Sequence, residues 1–172
     1  MASNLIIYYS RRGQNYVNGT IQSLDRGNTE QCAAYIQNAV GGDLFEIQTV
    51  RAYPTDYTAC TEKAQAELRA GERPALTAYL DDIASYDNVF VCGPCWWGTF
   101  PMAVFSQLER LDFTGKRVFP LMTHEGSGLG VCERDLRKIC AGAEIGAGLA
   151  VRGGEAARSE AAVAAWAERA VG

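Results

Sequence analysis

Short apolar runs alternate with helix-patterned stretches along the whole chain, and that alternation leaves few ways to fold. Runs rich in β-branched and aromatic residues occur at 5–9 (LIIYY), 43–50 (DLFEIQTV), 89–93 (VFVCG), 117–122 (RVFPLM) and 144–151 (EIGAGLAV). Each has the length and apolarity of a strand buried on both faces. Helical patterning covers 28–40, about 56–70, 101–110, about 131–140 and 159–171. A helix between successive strands carries the chain back across the sheet, so the strands pair in parallel through right-handed crossovers. The expected architecture is therefore an α/β doubly wound open sheet with helices on both faces.

The helix boundaries carry their own chemistry. Asn28 and Ser159 suit N-caps and Pro101 suits a first helical position, while Gly41, Gly71 and Gly142 stand where helices stop. The fifth strand has the weakest pattern, because three glycines and four alanines lie between Ala141 and Ala150. Residues 11–26 (RRGQNYVNGTIQSLDR) fit neither period and read as an unusually long loop after the first strand.

Composition narrows the function classes. The 172 residues are enough for one core, so a single domain over 1–172 is expected. Lys and Arg total 16 against 20 acidic residues, for a net charge of -4, with no basic patch to suit nucleic acid. The amino-terminal apolar run is too short for a signal peptide and nothing else has the length of a membrane span, which points to the cytoplasm. Six cysteines without secretory context read as thiols, and a single histidine argues against a zinc cluster or other metal site.

Ligands of open parallel sheets bind beyond the carboxyl ends of the strands, where the strand order reverses. Three loops leave those ends with distinctive content: Ser10 to Thr29, Pro94-Cys95-Trp96-Trp97-Gly98-Thr99, and Thr123-His124-Glu125-Gly126-Ser127-Gly128. Gly27-Asn28-Thr29-Glu30 opens a helix, where glycine admits an anion and the first-turn N–H groups and helix dipole attract it. No Lys-Ser/Thr pair follows the glycine and no G-x-G-x-x-G is present, so a single phosphate is favoured over a triphosphate or dinucleotide. The adjacent tryptophans offer faces for a flat heterocycle, or else one of them packs as a core lid. His124 suits a loop hydrogen bond better than proton transfer. Cys92-Gly93-Pro94-Cys95 reproduces a thioredoxin-type C-G-P-C, but five residues separate it from the helix start that would activate the thiol.

Strand one ending in serine, G-N-T opening the first helix, P-x-W-W-G-T after strand three and T-H-E-G-S-G after strand four together resemble the flavodoxin family. The match spans the chain and is similar in particular to a bacterial branch with S-R-x-x-x-N-Y before G-N-T, here Ser10 to Tyr16. The resemblance implies a flavodoxin-like five-stranded parallel sheet of order 2-1-3-4-5 and non-covalent FMN. It assigns Ser10, Asn28, Thr29 and Glu30 to the phosphate, with Arg11 and Asn15 as further contacts. Pro94, Trp96, Trp97, Gly98 and Thr99 would flank the ring, and Cys95 among them would contact it. Thr123, Glu125, Gly126, Ser127 and Gly128 would complete the ring site. Two functions follow from it: an electron-transfer flavodoxin that docks transiently with redox partner proteins, or an NAD(P)H-dependent reductase of quinones or other small acceptors. The long connection between Ser10 and Gly27 departs from the compact S-x-T-G-N-T arrangement.

Overall fold

The computed structural model describes residues 3–172, so Met1 and Ala2, which begin the amino-terminal run, lie outside the described residues. In chain order, β1 (Asn4–Tyr8) is followed by β2 (Gly13–Val17), β3 (Thr20–Leu24) and α1 (Asn28–Val40). Next come β4 (Asp43–Glu46), α2 (Tyr57–Ala70), β5 (Asn88–Pro94), α3 (Met102–Leu108) and β6 (Arg117–His124). The chain ends with α4 (Cys132–Ile139), β7 (Glu144–Ile145), β8 (Leu149–Arg152), a 3-10 helix (Gly153–Arg158) and α5 (Glu160–Val171). The central sheet runs β4-β1-β5-β6, with β7 and β8 both paired to the far edge of β6, and all its pairings are parallel. With β7 and β8 counted as one interrupted strand, this is the expected 2-1-3-4-5 order. No helix among the described residues is long and apolar enough to cross a membrane.

Alternate residues of the central strands feed two cores, as the two-residue repeat of a strand requires. Ile6, Tyr8, Phe90, Cys92, Phe119 and Leu121 pack with Cys32, Ile36, Val163 and Trp166 of α1 and α5. Leu5, Ile7, Val89, Val91, Val118 and Met122 pack on the opposite face with residues of α2, α3 and α4. Burial on both faces explains why these strands read as continuous apolar runs.

The fifth strand is interrupted at 146–148, where β6 leaves no room for a Cβ on either glycine. A Cβ on Gly146 would press into the Phe119 ring, and one on Gly148 would meet Pro120 Cγ at 2.9 Å. β4 ends four residues earlier than expected. The chain bonds once more to β1 through Ile47 N and Tyr8 O, then turns to pair Thr49 with Leu76.

Residues 11–26, expected as a long loop, instead carry an antiparallel β-hairpin, with β2 paired to β3 from Gly13 to Leu24. Asn18 (φ 52°) and Gly19 (φ 86°) make its two-residue turn, the left-handed pair that Asn-Gly adopts to match strand twist. Asn28 is not the N-cap of α1. Gly27 holds that position, and the Ser10 hydroxyl accepts from Glu30 N at 3.0 Å, so the cap comes from the end of β1. Pro101 and Ser159 likewise sit at N-cap positions without a side-chain cap bond, the Ser159 hydroxyl donating back to Ala156 O.

Candidate functional site

A cleft of about 700 Å³ opens beyond the carboxyl ends of β1, β5 and β6. The three loops identified in the sequence converge on it, as the reversal of strand order between β1 and β5 predicts. Its polar end is built on the start of α1, where Ser10, Asn28 and Thr29 line the wall. Gly27 must be glycine there, because a Cβ would overlap the Ser10 hydroxyl and lie 2.7 Å from Arg11 O. Thr29 Oγ1 is 2.7 Å from Thr123 Oγ1 at the buried floor.

The charged groups around this end are already engaged. Arg11 lines the cleft, but its guanidinium donates to the carbonyls of Gln14 (2.8 Å), Pro54 (2.9 Å) and Thr55 (3.1 Å). Asn15 also lines it while its Nδ2 donates to Arg11 O and Gly13 O, which holds the hairpin base in shape. Glu30 does not reach the cleft. Its carboxylate pairs with Arg12 Nε at 3.0 Å and faces Arg26 Nε at 3.6 Å, so the anion-attracting end of α1 is spared its charge.

The hairpin arches over this region. Its base is fixed where Tyr57 N donates to Gln14 Oε1 at 2.7 Å, and its tip where Asn18 N donates to Glu125 Oε1 at 2.8 Å. Tyr16, 43 % exposed, stacks on Tyr57 with ring centroids 6.0 Å apart. Both rings face the cleft.

The two tryptophans divide the roles that the sequence left open. Trp97 (φ 58°) and Gly98 (φ 93°) form a tight turn closed by Trp96 N donating to Thr99 O at 2.8 Å. This turn sends the two indoles apart. Trp96 packs edge-on against Tyr53 (4.9 Å) and Tyr9 (5.2 Å), a core lid with one side on the cleft. Trp97 is 51 % exposed at the mouth, its Nε1 donating to Thr61 O at 2.8 Å. Pro94, Cys95 and Gly98 join the lining. Thr99 does not, because its hydroxyl is buried against Asp135 Oδ2 at 2.6 Å and ties the turn to α4. The Gly98 carbonyl accepts from Val131 N at 2.7 Å, so this carbonyl is committed to the protein.

Cys92 and Cys95 face different surroundings. Cys92 is buried in the α1/α5 core with its thiol pushed far up by burial, and Cys95 packs toward the other core and the cleft. The C-G-P-C spacing therefore forms no thioredoxin-type pair.

From the third loop, Thr123, Glu125, Gly126 and Ser127 line the cleft beside His124, whereas Gly128 does not. His124 Nδ1 accepts from Gly126 N at 2.9 Å and Gly128 N at 3.2 Å. Burial and the nearby Arg152 hold its pKa below the usual imidazole range, with Glu125 partly offsetting them.

Sequence reasoning missed Tyr16, the α2 wall and the last glycine. Tyr57, Cys60, Thr61 and Ala64 line the cleft from one helix face, a spacing of three, four and seven residues that marks a single stripe. Burial raises the pKa values of both Tyr57 and Cys60. Gly153 follows the last strand, and a Cβ there would fall 2.5 Å from Glu125 Oε2 and 2.7 Å from Asn28 Nδ2. The signal for Gly153 was its place at the carboxyl end of a strand, the position already used for the other loops.

The arrangement offers an anion end made of neutral donors and an aromatic end made of Trp97 and Tyr57. Comparison with known proteins agrees with this geometry. The family model described as Flavodoxin matches residues 22–170. A crystal structure of a protein described as a flavoprotein, from Bacteroides uniformis, is 27 % identical with a TM-score of 0.75, covering 97 % of this chain and 98 % of its own. One from Bacteroides eggerthii is 25 % identical with a TM-score of 0.78, covering 100 % and 99 %. A flavoprotein from Lactobacillus acidophilus in complex with FMN shares the fold at 16 % identity and a TM-score of 0.63, covering 94 % and 99 %. No curated protein matches the chain. With the family model spanning most of its length, the chain belongs to the flavodoxin family.

Proposed function

We propose that this chain holds FMN in the cleft and serves as a cytoplasmic electron carrier that docks transiently with redox partner proteins. The residues present fit that cofactor. The first-turn N–H groups of Asn28 and Thr29 have no carbonyl one turn back to donate to, and the Ser10 and Thr29 hydroxyls stand beside them. Gly27, with no Cβ, lets the Ser10 hydroxyl lie against the start of α1. At the other end, the Trp97 and Tyr57 faces and the backbone of Gly126 and Ser127 suit a flat ring with polar edges. FMN, when bound, supplies the electron chemistry, and the protein sets orientation and access.

One observation carries the carrier reading. The two cleft side chains best suited to proton transfer, His124 and Glu125, are each bonded to backbone N–H groups and organise loops. The exposed Trp97 at the mouth leaves the ring end open to a partner. The stacked Tyr16 and Tyr57 rings favour a second reading, a reductase that admits a planar acceptor such as a quinone beside them.

Purified protein is expected to show a flavin spectrum and to release a chromophore with the mass of FMN. A colourless chain that gains no FMN on titration would overturn the proposal. Steady-state NAD(P)H oxidation with quinones separates the two functions: turnover without a partner reductase replaces the carrier with the enzyme.

A further inference from the structure

We infer that His124 is a positioning residue whose neutral imidazole shapes the 124–128 loop, so that the cleft loses affinity for its cofactor when this ring takes up a proton. The inference rests on the FMN reading for its ligand but on the loop geometry for its cause.

His124 is the last residue of β6 and pairs in register with Arg152 of β8, so its backbone is fixed by the sheet. Beyond it the chain makes a tight reversal through Gly126 and Gly128, whose φ values of 147° and 62° suit glycine. Neither glycine has a side chain with which to hold that path. The Glu125 side chain is turned to the hairpin, where its Oε1 accepts from Asn18 N. The His124 ring supplies what the loop lacks. Its Nδ1 receives both Gly126 N (2.9 Å) and Gly128 N (3.2 Å).

A ring nitrogen that accepts two N–H groups must present its lone pair to them, so the ring hydrogen sits on Nε2. Protonation places a hydrogen on Nδ1 facing two donors and turns both attractions into repulsions. The loop wall formed by Gly126 and Ser127 then moves, and these residues line the cleft.

The charged groups facing the ring are Arg152 on β8 and Glu125 on its own loop. Arg152 Nη1 donates to Glu125 O at 3.2 Å, which sets a positive charge beside the imidazole. Burial and Arg152 disfavour the imidazolium and Glu125 favours it, and the first two win. The neutral form is thus bound more tightly in the folded loop than in a free chain. Its contribution is complete above the ordinary imidazole value of about 6.5 and is lost as pH falls through the lowered one.

The test compares wild type with His124→Asn and His124→Phe. Asparagine keeps an acceptor oxygen near the Nδ1 position and does not titrate, whereas phenylalanine keeps the ring and no acceptor. FMN affinity is measured by fluorescence quenching from pH 5 to 8. The phosphate of FMN titrates near pH 6, so His124→Asn supplies the baseline for that effect. We expect wild type to lose roughly tenfold more affinity than His124→Asn on acidification, the worth of two hydrogen bonds. At pH 8, His124→Phe should bind roughly tenfold more weakly than wild type, and His124→Asn should recover most of that loss. Identical pH profiles for wild type and His124→Asn, or unimpaired binding by His124→Phe, would overturn the inference.

A second measurement needs no cofactor. In nitrogen-15 spectra of the chain alone, His124 should be the Nε2–H tautomer, and the Gly126 and Gly128 amides should shift with its titration. Failure of FMN to bind would sink the proposed function and leave this result standing. Amide shifts that ignore His124 would sink the loop argument itself.

Discussion

Thr29 Oγ1 and Thr123 Oγ1 lie 2.7 Å apart and form a buried hydroxyl pair that joins the start of α1 to the end of β6. The two residues are 94 positions apart in sequence and meet at the floor of the cleft. One hydroxyl donates to the other, so removing either takes a partner from a buried polar group.

Thr29→Val should therefore cost about 1–2 kcal/mol of stability, because valine keeps the shape and strands the Thr123 hydroxyl. The double variant Thr29→Val with Thr123→Val removes both groups and should recover part of that loss, which urea unfolding of the four proteins in a cycle will read. The same single variant should weaken FMN more than riboflavin. Equal losses for the two ligands would move the phosphate away from α1.

Glu125 Oε1 is the tie for the hairpin tip, through Asn18 N at 2.8 Å. Glu125→Ala should speed amide exchange over 13–24 by roughly tenfold, while Glu125→Gln, which keeps an acceptor, should stay near wild type. The base of the hairpin remains held through Gln14 Oε1 and Tyr57 N, so the strand pairing itself should survive. Exchange unchanged in Glu125→Ala would mean that the base alone carries the hairpin.

That hairpin marks the limit of what the sequence made legible. The central strands were readable because burial on both faces writes itself as unbroken apolar runs, as in Leu5 to Tyr9. The hairpin strands are mostly exposed, with only Val17 buried, so no alternating apolar pattern announced them. Asn18-Gly19 was the usable signal, since that pair favours a two-residue turn. The loops that gather at the cleft followed from topology, yet Glu30 and Thr99 fell outside it because partners distant in sequence, Arg12 and Asp135, decide where their side chains turn, while the Gly128 amide is drawn to the His124 ring. Which tryptophan faces outward depends on the left-handed turn at Trp97-Gly98, and adjacent identical residues give no hint of it.

Thiol chemistry should separate the C-G-P-C cysteines. Cys95 is the one cysteine of the six that is not buried, so iodoacetamide on native protein should label it first, as found by peptide mass mapping. Cys92 should react only on unfolding, its thiol shielded and its thiolate disfavoured by burial. Mild oxidation should leave no Cys92–Cys95 bond. A disulfide between them would require a rearranged β5 end and would revive the dithiol function.

A buried carboxylate stands behind the Tyr53 ring that packs on Trp96. Glu67 is buried, accepts from the Tyr53 hydroxyl at 2.7 Å and has Lys63 Nζ only at 3.9 Å. Burial raises its pKa above the ordinary 4.5, more than the Tyr53 bond and Lys63 lower it. The folded state thus holds the proton more tightly than the unfolded chain does. Its stabilising contribution is complete below about 4.5 and is lost as pH rises through the higher folded value. Glu67→Gln keeps an acceptor for Tyr53 and carries no charge, so it should flatten this part of the pH–stability curve and match or exceed wild type at pH 7. Tyr53→Phe removes the donor and leaves the carboxylate unsupported, which should cost about 1–3 kcal/mol at pH 7. Denaturant midpoints of the three proteins between pH 4 and 8 will decide it. A Glu67→Gln protein less stable than wild type at neutral pH would mean that Lys63 and Tyr53 together outweigh the burial of the charge.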